Sequence, residues 1–318
     1  MTDMFEIKNV KPMLIGESRQ AFDSPDYIYE LKLDGERCLA YLDPLTGTVL
    51  RNKRNMEMLG KVPELTNIHK QVNARCILDG ELIVAVNGEP NFYEMQRRWL
   101  MSDKFKIQLR AEWNPVTFVA FDILYHVDHD VTNWTVMQRK ELLERVVTEN
   151  ERLAVSRYIE GNGVDFFNMA AQRNLEGIVA KRKDSRYFQG KRTKDWIKCK
   201  NLQDEDFVVC GYALVDHAYS ILLGKYQGER LVFRGEYVTM GVSPQDIRIL
   251  QTHRRADAPI LDYGPGGNES VVWLVPDLVC TVRYMERTPN GAMRQPVFKG
   301  FRLDKDAMEC VERSKGDA

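Results

Sequence analysis

The sequence is poor in cysteine, in net charge and in long apolar runs. Its six cysteines include no C-x-x-C pair, which argues against a zinc ribbon and a disulfide framework and favours a reducing compartment, the cytoplasm. No run of about 18 apolar residues occurs, so no membrane span is predicted. The amino-terminal segment MTDMFEIKNVKPML lacks a basic stretch followed by an apolar core, and a secretory signal is therefore not expected.

The net charge of −1, from 45 basic and 46 acidic residues, gives no sign of a nucleic-acid partner. A local patch is more informative than the overall balance. Residues 181–200, KRKDSRYFQGKRTKDWIKCK, form such a patch, with nine basic and two acidic residues and with Tyr187, Phe188 and Trp196 interleaved. Composition alone leaves two interpretations open, a solvated loop between strands or a nucleic-acid contact.

The length of 318 residues predicts two domains, and the sequence pattern changes near residue 202. Before this point strand-like and helical segments alternate, whereas almost every later segment is strand-like. The acidic segment NLQDED, residues 201–206, is the candidate link. We therefore expect an α+β protein with domains at residues 1–201 and 202–318.

In the first domain, YIYELKL and RCLAYLD are predicted to be strands on either side of a turn at Asp34 and Gly35. CILDGELIVAV, residues 76–86, is predicted to be a strand pair or a bent strand with a turn at Asp79 and Gly80. Helices are predicted for PNFYEMQRRWLMSDKFKIQLRAE, TVMQRKELLERVVTENE and VDFFNMAAQRNLEG. Further strands are predicted for GTVLRNKR, PVTFVAFDILYHVD, GIVAKR and DWIKCK.

The second domain is predicted to be almost entirely β. DFVVCGYAL, YSILLGKYQGERLVFRGEYV, VVWLVPDLVCTVRYM and PVFKGFRL are strand-like, and SPQDIRILQTHRRA, residues 243–256, is a helix with Ser243 as its N-cap. Five or so strands and one helix in about 115 residues are typical of a small β-barrel of the OB type. A β-sandwich is the alternative.

A single lysine, Lys32, lies in the apolar run YELKLDGERCLAY, directly before a turn. A buried or half-buried ammonium group is costly, so a lysine in this position is predicted to have a chemical role, and we interpret it as a nucleophile. Alternation in DWIKCK places Trp196, Lys198 and Lys200 on one face of a strand. Two lysines on one face repel each other unless an anion lies between them.

These residues belong to a series of phrases that closely resembles the ATP-dependent DNA ligases, members of the covalent nucleotidyltransferase superfamily. ELKLDGERCLAY is similar to the nucleophile motif of that family and LRNKR to its ribose-contacting segment. LDGEL, VAFDILY, EGIVAKR, DWIKCK and FKGFRLDKDAM follow in the family order. KPML, SRYFQGKRTKDWIKCK and WLVPDLVCTVRYMERTPNGAMRQPVFKGFRLDK resemble the ligase module of bacterial end-joining ligases and their free-standing relatives. The resemblance covers nearly the whole chain.

The resemblance implies a nucleotidyltransferase (adenylation) domain, built of antiparallel sheets with helices and similar to the ATP-grasp fold, followed by an OB-fold domain. It implies the sealing of 3′-hydroxyl/5′-phosphate nicks in duplex DNA through a lysyl–AMP on Lys32 and a DNA-adenylate. Neighbouring cations, among them Lys198 and Lys200, are expected to favour the neutral, nucleophilic amine of Lys32. The cofactors implied are ATP and Mg²⁺ or Mn²⁺.

The remaining site residues follow from the same resemblance. The catalytic set is Lys32, Lys198 and Lys200, with Arg302, Asp304 and Lys305 entering on the OB domain to orient pyrophosphate. The nucleotide is expected to contact Glu30, Leu31, Arg37, Arg51, Glu81, Phe121 and Glu176. Phe121 would stack on adenine, with core packing as its alternative, and Glu81 and Glu176 would bind the metal ion.

Contacts with DNA are expected from Lys183, Arg186, Lys191, Arg192 and Lys194, and from Arg97 and Arg98. An amphipathic surface helix is the alternative for the last two. The partners expected are nicked duplex DNA and separate repair or end-joining proteins, and the chain is expected to be a monomer of bacterial or viral origin.

Four other functions share part of this pattern. An mRNA-capping guanylyltransferase has the same lysine motif but lacks the long ligase phrases, and an RNA ligase lacks the full OB domain. An NAD⁺-dependent ligase would need a four-cysteine zinc site. A decayed ligase that only binds nicks would be expected to have lost one of Lys32, Glu81, Glu176, Lys198 or Lys200, and all are present.

Overall fold

The computed structural model describes residues 3–86, 88–215, 217–233, 238–240, 243–257, 271–288 and 291–312. The chain divides into two compact units, Met1–Asn201 and Leu202–Ala318. The division falls at the start of the acidic segment 201–206. Each unit mixes strands with helices, which confirms the α+β class.

The first unit is built from twelve strands, five α-helices and two short 3₁₀ helices, Pro63–Leu65 and Ile68–Gln71, among its described residues. The helices are α1 (Met4–Ile7), α2 (Phe92–Leu100), α3 (Lys104–Trp113), α4 (Val136–Val146) and α5 (Gly163–Gln172). The strands are β1 (Leu14–Ser18), β2 (Ser24–Leu31), β3 (Glu36–Asp43), β4 (Gly47–Asn52), β5 (Cys76–Val86), β6 (Glu89–Pro90), β7 (Val116–His126), β8 (His129–Asp130), β9 (Leu153–Val155), β10 (Tyr158–Gly161), β11 (Gly177–Arg182) and β12 (Arg192–Lys200).

These strands form two sheets that are mostly antiparallel. One has the order β1-β12-β11-β2-β10, and the other has the order β4-β3-β5-β7-β8 with β6 paired to β5 and β9 to β7. Alternate residues of each strand face opposite sides of its sheet, so each sheet contributes to two cores. Leu39, Ile77 and Trp196 share the core between the two sheets, whereas Ile178 and Cys199 pack with α5 on the outer side of the first sheet.

Two predicted elements differ from the structure. The turn predicted at Asp79 and Gly80 is wrong, because β5 is one continuous strand whose register against β7 shifts at this point. Gly80 is needed for close packing, since a Cβ atom here would lie 2.5 Å from Val119 O. The long helix predicted from Pro90 is two helices, because Asp103 caps a new amino terminus at α3.

The second unit has seven strands, one α-helix and one 3₁₀ helix among its described residues. They are β13 (Gln203–Val215), β14 (Ala218–Gln227), β15 (Arg230–Phe233), β16 (Val238–Thr239), α6 (Pro244–Thr252), β17 (Val272–Trp273), β18 (Val279–Tyr284), β19 (Val297–Phe301) and the 3₁₀ helix Ala307–Glu309. The strand order is β15-β14-β13-β18-β19, with β16 paired to β14 and β17 to β13. Ser243 caps α6, as predicted, by accepting a hydrogen bond from the Asp246 amide.

The predicted acidic link is not a loop over its whole length. β13 begins at Gln203, so Asp204, Glu205 and Asp206 lie in a strand paired with β18. Their side chains alternate between the two faces of the sheet. The division of the chain falls within the predicted link, but its acidic part is a strand whose carboxylates pair with cations from distant segments of the chain.

All six cysteines are free and buried. Three lie in the first unit, at Cys38, Cys76 and Cys199, and three lie in the second, at Cys210, Cys280 and Cys310. Burial raises the pKa of every one of these thiols.

Candidate active site

Lys32 follows directly after β2 and lies beside the start of β11. Its backbone amide donates to Gly177 O at 2.9 Å, and its Nζ lies 2.6 Å from Glu176 Oε2. Glu176 Oε1 lies 3.4 Å from Lys200 Nζ. A buried carboxylate therefore joins the predicted nucleophile to one of the two lysines of β12.

Antiparallel pairing of β11 with β12 brings the lysines of DWIKCK to this position. Gly177 is opposite Lys200, and Val179 is opposite Lys198. The faces agree with the prediction, because Trp196 packs between the sheets whereas Ile197 and Cys199 pack in the other core. Burial, and then the positive charges of Lys200 and Lys32, lower the pKa of Lys198. Three lysines thus lie close to one another at this edge of the sheet.

The direct partner of Lys32 is an anion. Its Nζ forms an ion pair with Glu176, while Lys198 and Lys200 lie on β12. The expectation that these cations favour the neutral amine of Lys32 stays a prediction. The pair with Glu176 was not predicted, because its position beside Lys32 depends on strand register.

Glu81 lies in β5, with its Cα paired to that of Arg37 in β3. Burial raises the pKa of Glu81 to about 8, against the lowering effect of the charges of Arg37 and Lys32. The charges of Asp79 and Glu176 raise it further. Glu81 and Glu176 are therefore two carboxylates that interact unfavourably, and a cation between them would relieve this repulsion.

This donor set fits Mg²⁺ or Mn²⁺. In the described part of the chain, no three side chains of His, Cys, Asp or Glu come together as a metal-binding group. Mg²⁺ commonly takes one or two carboxylates and completes its shell with phosphate oxygens and water. A pair of glutamates beside three lysines that could bind phosphate matches that preference.

The raised pKa of Glu81 predicts a pH-dependent stability. Glu81 binds its proton more tightly in the folded chain, so its contribution is complete below pH 4.5 and is lost as the pH rises through about 8. We expect metal-free protein to lose about 1–2 kcal/mol of unfolding free energy between pH 6 and pH 8, and Glu81→Gln to remove most of this slope. Urea unfolding at several pH values measures both. The exposed Glu151→Gln variant is the control, and an identical slope in Glu81→Gln would contradict the assignment.

Arg37 is held by a carboxylate that the sequence analysis did not assign to it. Its Nε and Nη2 contact Asp79 Oδ1 and Oδ2 at 3.0 and 2.6 Å, and Tyr187 donates its hydroxyl proton to Asp79 Oδ2 at 2.6 Å. The sequence pattern placed Asp79 only in a predicted turn. The missing information was that β3 and β5 are neighbours, which places the two side chains together.

Phe121 and Glu30 share the space between the two sheets with a lysine that the sequence analysis missed. Lys181 Nζ lies 2.9 Å from Glu30 Oε2, donates to Phe121 O at 3.2 Å and lies 4.5 Å from the centroid of the Phe121 ring. Glu30 is buried and also pairs with Lys140. The argument that identified Lys32, a lysine in an apolar strand, applies equally to Lys181 in GIVAKR.

Two other predicted nucleotide contacts lie apart from this arrangement. The Leu31 side chain packs on the α5 side of its sheet, so only its main chain can face a nucleotide beside Lys32. Arg51 is partly exposed, with its Nη2 at 3.9 Å from Glu57 Oε2. The predicted contact of Leu31 with the nucleotide can therefore come only from its main chain.

In the second unit, Arg302, Asp304 and Lys305 form one ionic cluster. Arg302 Nε lies 2.9 Å from Asp304 Oδ1, and Arg302 Nη2 lies 2.9 Å from Asp304 Oδ2. Asp206 binds Arg302 Nη1 at 3.4 Å and Lys305 Nζ at 2.8 Å. The structure thus brings the three predicted residues together and adds Asp206, which the sequence analysis placed only in an acidic link.

Some of the positive side chains in the basic segment, residues 181–200, already have partners within the chain. Lys183 pairs with Glu160, and Arg192 donates to Ile15 O at 2.7 Å. Arg186, Lys191 and Lys194 are exposed.

The two arginines of α2 differ sharply. The Arg97 side chain is 63% exposed and pairs with Glu94, whereas that of Arg98 is 2% exposed and lies 2.7 Å from Glu64. The prediction that Arg98 contacts DNA is wrong, because its guanidinium is enclosed by Glu64 and by the carbonyl oxygens of Lys61 and Asn114.

Comparison with known families decides between the alternatives. The family model described as ATP dependent DNA ligase domain matches residues 12–200, and that described as ATP dependent DNA ligase C terminal region matches residues 216–305. This chain belongs to the ATP-dependent DNA ligase family. The resemblance found in the sequence is confirmed, and the guanylyltransferase and RNA ligase alternatives are not favoured.

Individual relatives of this ligase have similar identity but different lengths. The SPbeta prophage-derived DNA ligase-like protein LigB of Bacillus subtilis is 28% identical over 296 residues, which cover 92% of this chain and 99% of that protein. The multifunctional end-joining protein LigD of Mycobacterium bovis is 29% identical over 322 residues, covering 97% of this chain and only 40% of LigD.

A solved structure, a mycobacterial DNA ligase D complexed with ATP and MES, is 27% identical to this ligase with a TM-score of 0.56, covering 96% of this chain and 99% of that one. The nucleotidyltransferase and OB-fold domains are thereby confirmed. The family also shows that this chain uses ATP as its nucleotide and has a nucleic acid as its partner. Among the described helices, none has the length and apolar character needed to cross a membrane.

Proposed function

We propose that this ligase seals 3′-hydroxyl/5′-phosphate nicks in duplex DNA with ATP through a covalent lysyl–AMP on Lys32. The observation that carries the proposal is the meeting of Lys32, Lys198 and Lys200 around Glu176 at the edge of paired strands. A triphosphate is strongly anionic, and its transfer depends mainly on positioning and charge stabilisation. Three lysines at one position supply both.

The proposed reaction has three balanced steps. The lone pair of the deprotonated Lys32 Nζ forms a bond to the α-phosphorus of ATP, and the bond to pyrophosphate breaks. An oxygen of the 5′-phosphate at the nick then attacks the same phosphorus and releases Lys32. The 3′-hydroxyl finally attacks the 5′-phosphate, loses its proton, and displaces AMP.

Lys32 must lose a proton before the first step. In the structure its Nζ forms an ion pair with Glu176, and Glu176 also pairs with Lys200. We propose that Lys198 and Lys200 bind the phosphates of ATP. Glu81 and Glu176 would hold Mg²⁺ or Mn²⁺, which would supply neutralising charge on the phosphate oxygens.

The nucleotide contacts are proposed for the residues around the space between the sheets. Phe121 would stack on adenine and Glu30 would face its edge, since both residues lie in the space between the sheets beside Lys181. Leu31 would contribute its main chain. Arg37 and Arg51 would face the ribose or the 5′-phosphate of the nick, with Arg37 oriented by Asp79. Arg302, Asp304 and Lys305 would orient pyrophosphate.

The proposed DNA contacts are Arg97 and the exposed members of the basic segment, Arg186, Lys191 and Lys194. Lys183 and Arg192 would contribute after exchanging their present partners. Phosphate contacts of this kind give affinity without sequence preference.

Salt dependence tests these contacts. Lys194→Gln is expected to lower the slope of log K against log salt concentration by about 0.9, because each phosphate contact releases about that many counterions. Lys183→Gln should change the slope less, since Glu160 already neutralises Lys183. Fluorescence anisotropy with nicked duplex DNA measures both slopes. The salt concentration is varied between about 50 and 200 mM, because phosphate contacts weaken strongly over this range. An unchanged slope in Lys194→Gln would remove Lys194 from the interface.

We further propose that the ligase acts as a monomer in the cytoplasm, alongside separate repair or end-joining proteins. The free, buried cysteines support a reducing compartment. The match to the ligase part of LigD supports an end-joining or repair setting.

A labelling experiment tests the proposed function. The protein is mixed with Mg²⁺ and either α-labelled ATP or α-labelled GTP, separated on a denaturing gel, and then chased with nicked DNA. We expect an acid-labile label from ATP alone, its loss on addition of nicked duplex, and the appearance of joined strands. Label from GTP would indicate a capping-type enzyme, and no label from either nucleotide would contradict the proposal.

A further inference from the structure

Asp206 of the second unit contacts two cations through one oxygen atom. It lies in β13 directly opposite Thr281 of β18, whose hydroxyl donates to Asp206 Oδ1 at 2.6 Å. Asp206 Oδ2 accepts from Lys305 Nζ at 2.8 Å and from Arg302 Nη1 at 3.4 Å. The first oxygen is thus fixed by the sheet, and the second gathers the two cations.

The negative charge of Asp206 is what allows Arg302 and Lys305 to lie so close together. Two positive side chains that meet at one oxygen atom repel each other unless that atom is anionic. Burial raises the pKa of Asp206, but hydrogen bonds from Lys305 and Thr281 and the nearby positive charges outweigh this and hold it below its usual range. The partners that Asp206 contacts therefore favour its charged form. An asparagine would keep an acceptor for Thr281 but would leave the two cations without their counter-charge.

Asp304 binds the same arginine in a different way. It takes the Nε and Nη2 edge of Arg302 in a bidentate pair, and its side chain is 69% exposed, against 15% for Asp206. An arginine fork binds phosphate with the same paired geometry as a carboxylate. Asp304 thus occupies the Nε and Nη2 edge of Arg302, which a phosphate can also bind. Asp206 instead accepts from Nη1, and it does so from its position in the sheet.

We propose that Asp206 is a positioning residue that keeps Arg302 and Lys305 together to receive the pyrophosphate leaving group, with Asp304 exchanging for phosphate. This inference rests on the proposed function of Arg302 and Lys305. Asp206 touches no reacting atom and acts through the two cations. Its effect should therefore fall on formation of lysyl–AMP, in which pyrophosphate leaves, and not on sealing of an adenylated nick, in which AMP leaves.

The test is Asp206→Asn in the full chain, with both reactions measured in single turnovers. We expect the rate of lysyl–AMP formation to fall about 10- to 100-fold, as when a group in contact with the transition state is misplaced. Sealing of a pre-adenylated nick should stay within about twofold, as expected for a group that the last step does not use. The pyrophosphate concentration that half-saturates the reverse reaction, release of ATP from lysyl–AMP, should rise.

Asp204→Asn is the matched control. Asp204 lies two residues earlier in β13, faces the same side, and binds Arg283 Nε and Nη2 at 2.6 and 2.5 Å. Loss of this exposed pair should leave both rates within about twofold. Asp206→Glu restores the charge and is expected to recover part of the lost rate.

Each other outcome is decisive. Equal loss of both reactions in Asp206→Asn, or the same selective loss in Asp204→Asn, would show a structural role and overturn the inference. Faster formation of lysyl–AMP would make Asp206 a brake and overturn it as well. A wild-type chain that forms no lysyl–AMP would overturn the proposed function together with the inference. A reactive wild type with an equally reactive Asp206→Asn variant would overturn the inference alone.

Discussion

The Lys32→Arg variant is expected to form no acid-labile adduct with ATP and to lose ATP-dependent nick sealing by at least about 10⁴-fold, because a covalent nucleophile has no substitute. Arginine keeps the positive charge that pairs with Glu176, so the fold of the site should survive. Its guanidinium stays protonated at any accessible pH and cannot attack phosphorus. The gel assay with α-labelled ATP measures the adduct.

Two further measurements separate this result from misfolding. The same variant should still seal a nick that already carries AMP, since the last step makes no bond to Lys32. Lys106→Arg, at an exposed position of α3, should form the adduct at the wild-type rate. A labelled adduct on Lys32→Arg would place the nucleophile elsewhere in the chain.

Replacing Arg98 by alanine is expected to lower the unfolding free energy of the first unit by about 3–5 kcal/mol, the range for breaking a buried ion pair by removing one partner. Arg98 lies 2.7 Å from Glu64 Oε1 and 3.0 Å from Asn114 O. The variant would leave the buried Glu64 carboxylate without its counter-charge. Urea unfolding followed by tryptophan fluorescence measures the change, with Trp99 and Trp113 near the site.

Arg97 provides the matched control one residue away. Its pair with Glu94 is exposed, and Arg97→Ala should change the unfolding free energy by no more than about 0.5 kcal/mol. DNA binding should show the reverse pattern. At equal concentrations of folded protein, Arg97→Ala should weaken binding and Arg98→Ala should not. Similar destabilisation by both substitutions would contradict the burial of Arg98.

Local sequence was sufficient to predict the features that depend on strand alternation and on motif. The lysine in an apolar run at Lys32 and the faces of Trp196 and Lys198 follow from a period of two residues, and the structure shows the same arrangement. The helix cap at Ser243 is equally local. Such features need no knowledge of which strands are neighbours.

The errors concern residues whose partners lie far away in the sequence. Glu64 is 34 residues from Arg98, so an arginine on an amphipathic helix gave no sign of its burial. Asp206 looked like part of a linker because Arg302 and Lys305 lie 96 and 99 residues away. A turn was predicted at Gly80 because the local sequence does not reveal that β7 packs closely against β5 at this residue. Charge compensation and sheet register are set by the tertiary fold.

The even division of the six buried thiols gives each unit its own set of internal reporters. A thiol reacts with alkylating reagents only as the thiolate and only when a reagent can reach it, and the raised pKa and burial of these cysteines block both conditions. Modification at neutral pH would therefore occur only while the surrounding unit is open. Alkylation of the three cysteines of the first unit would report opening of that unit, and alkylation of the other three would report opening of the second unit. Mass spectrometry of one alkylated sample would therefore give the lifetime of each folded unit separately.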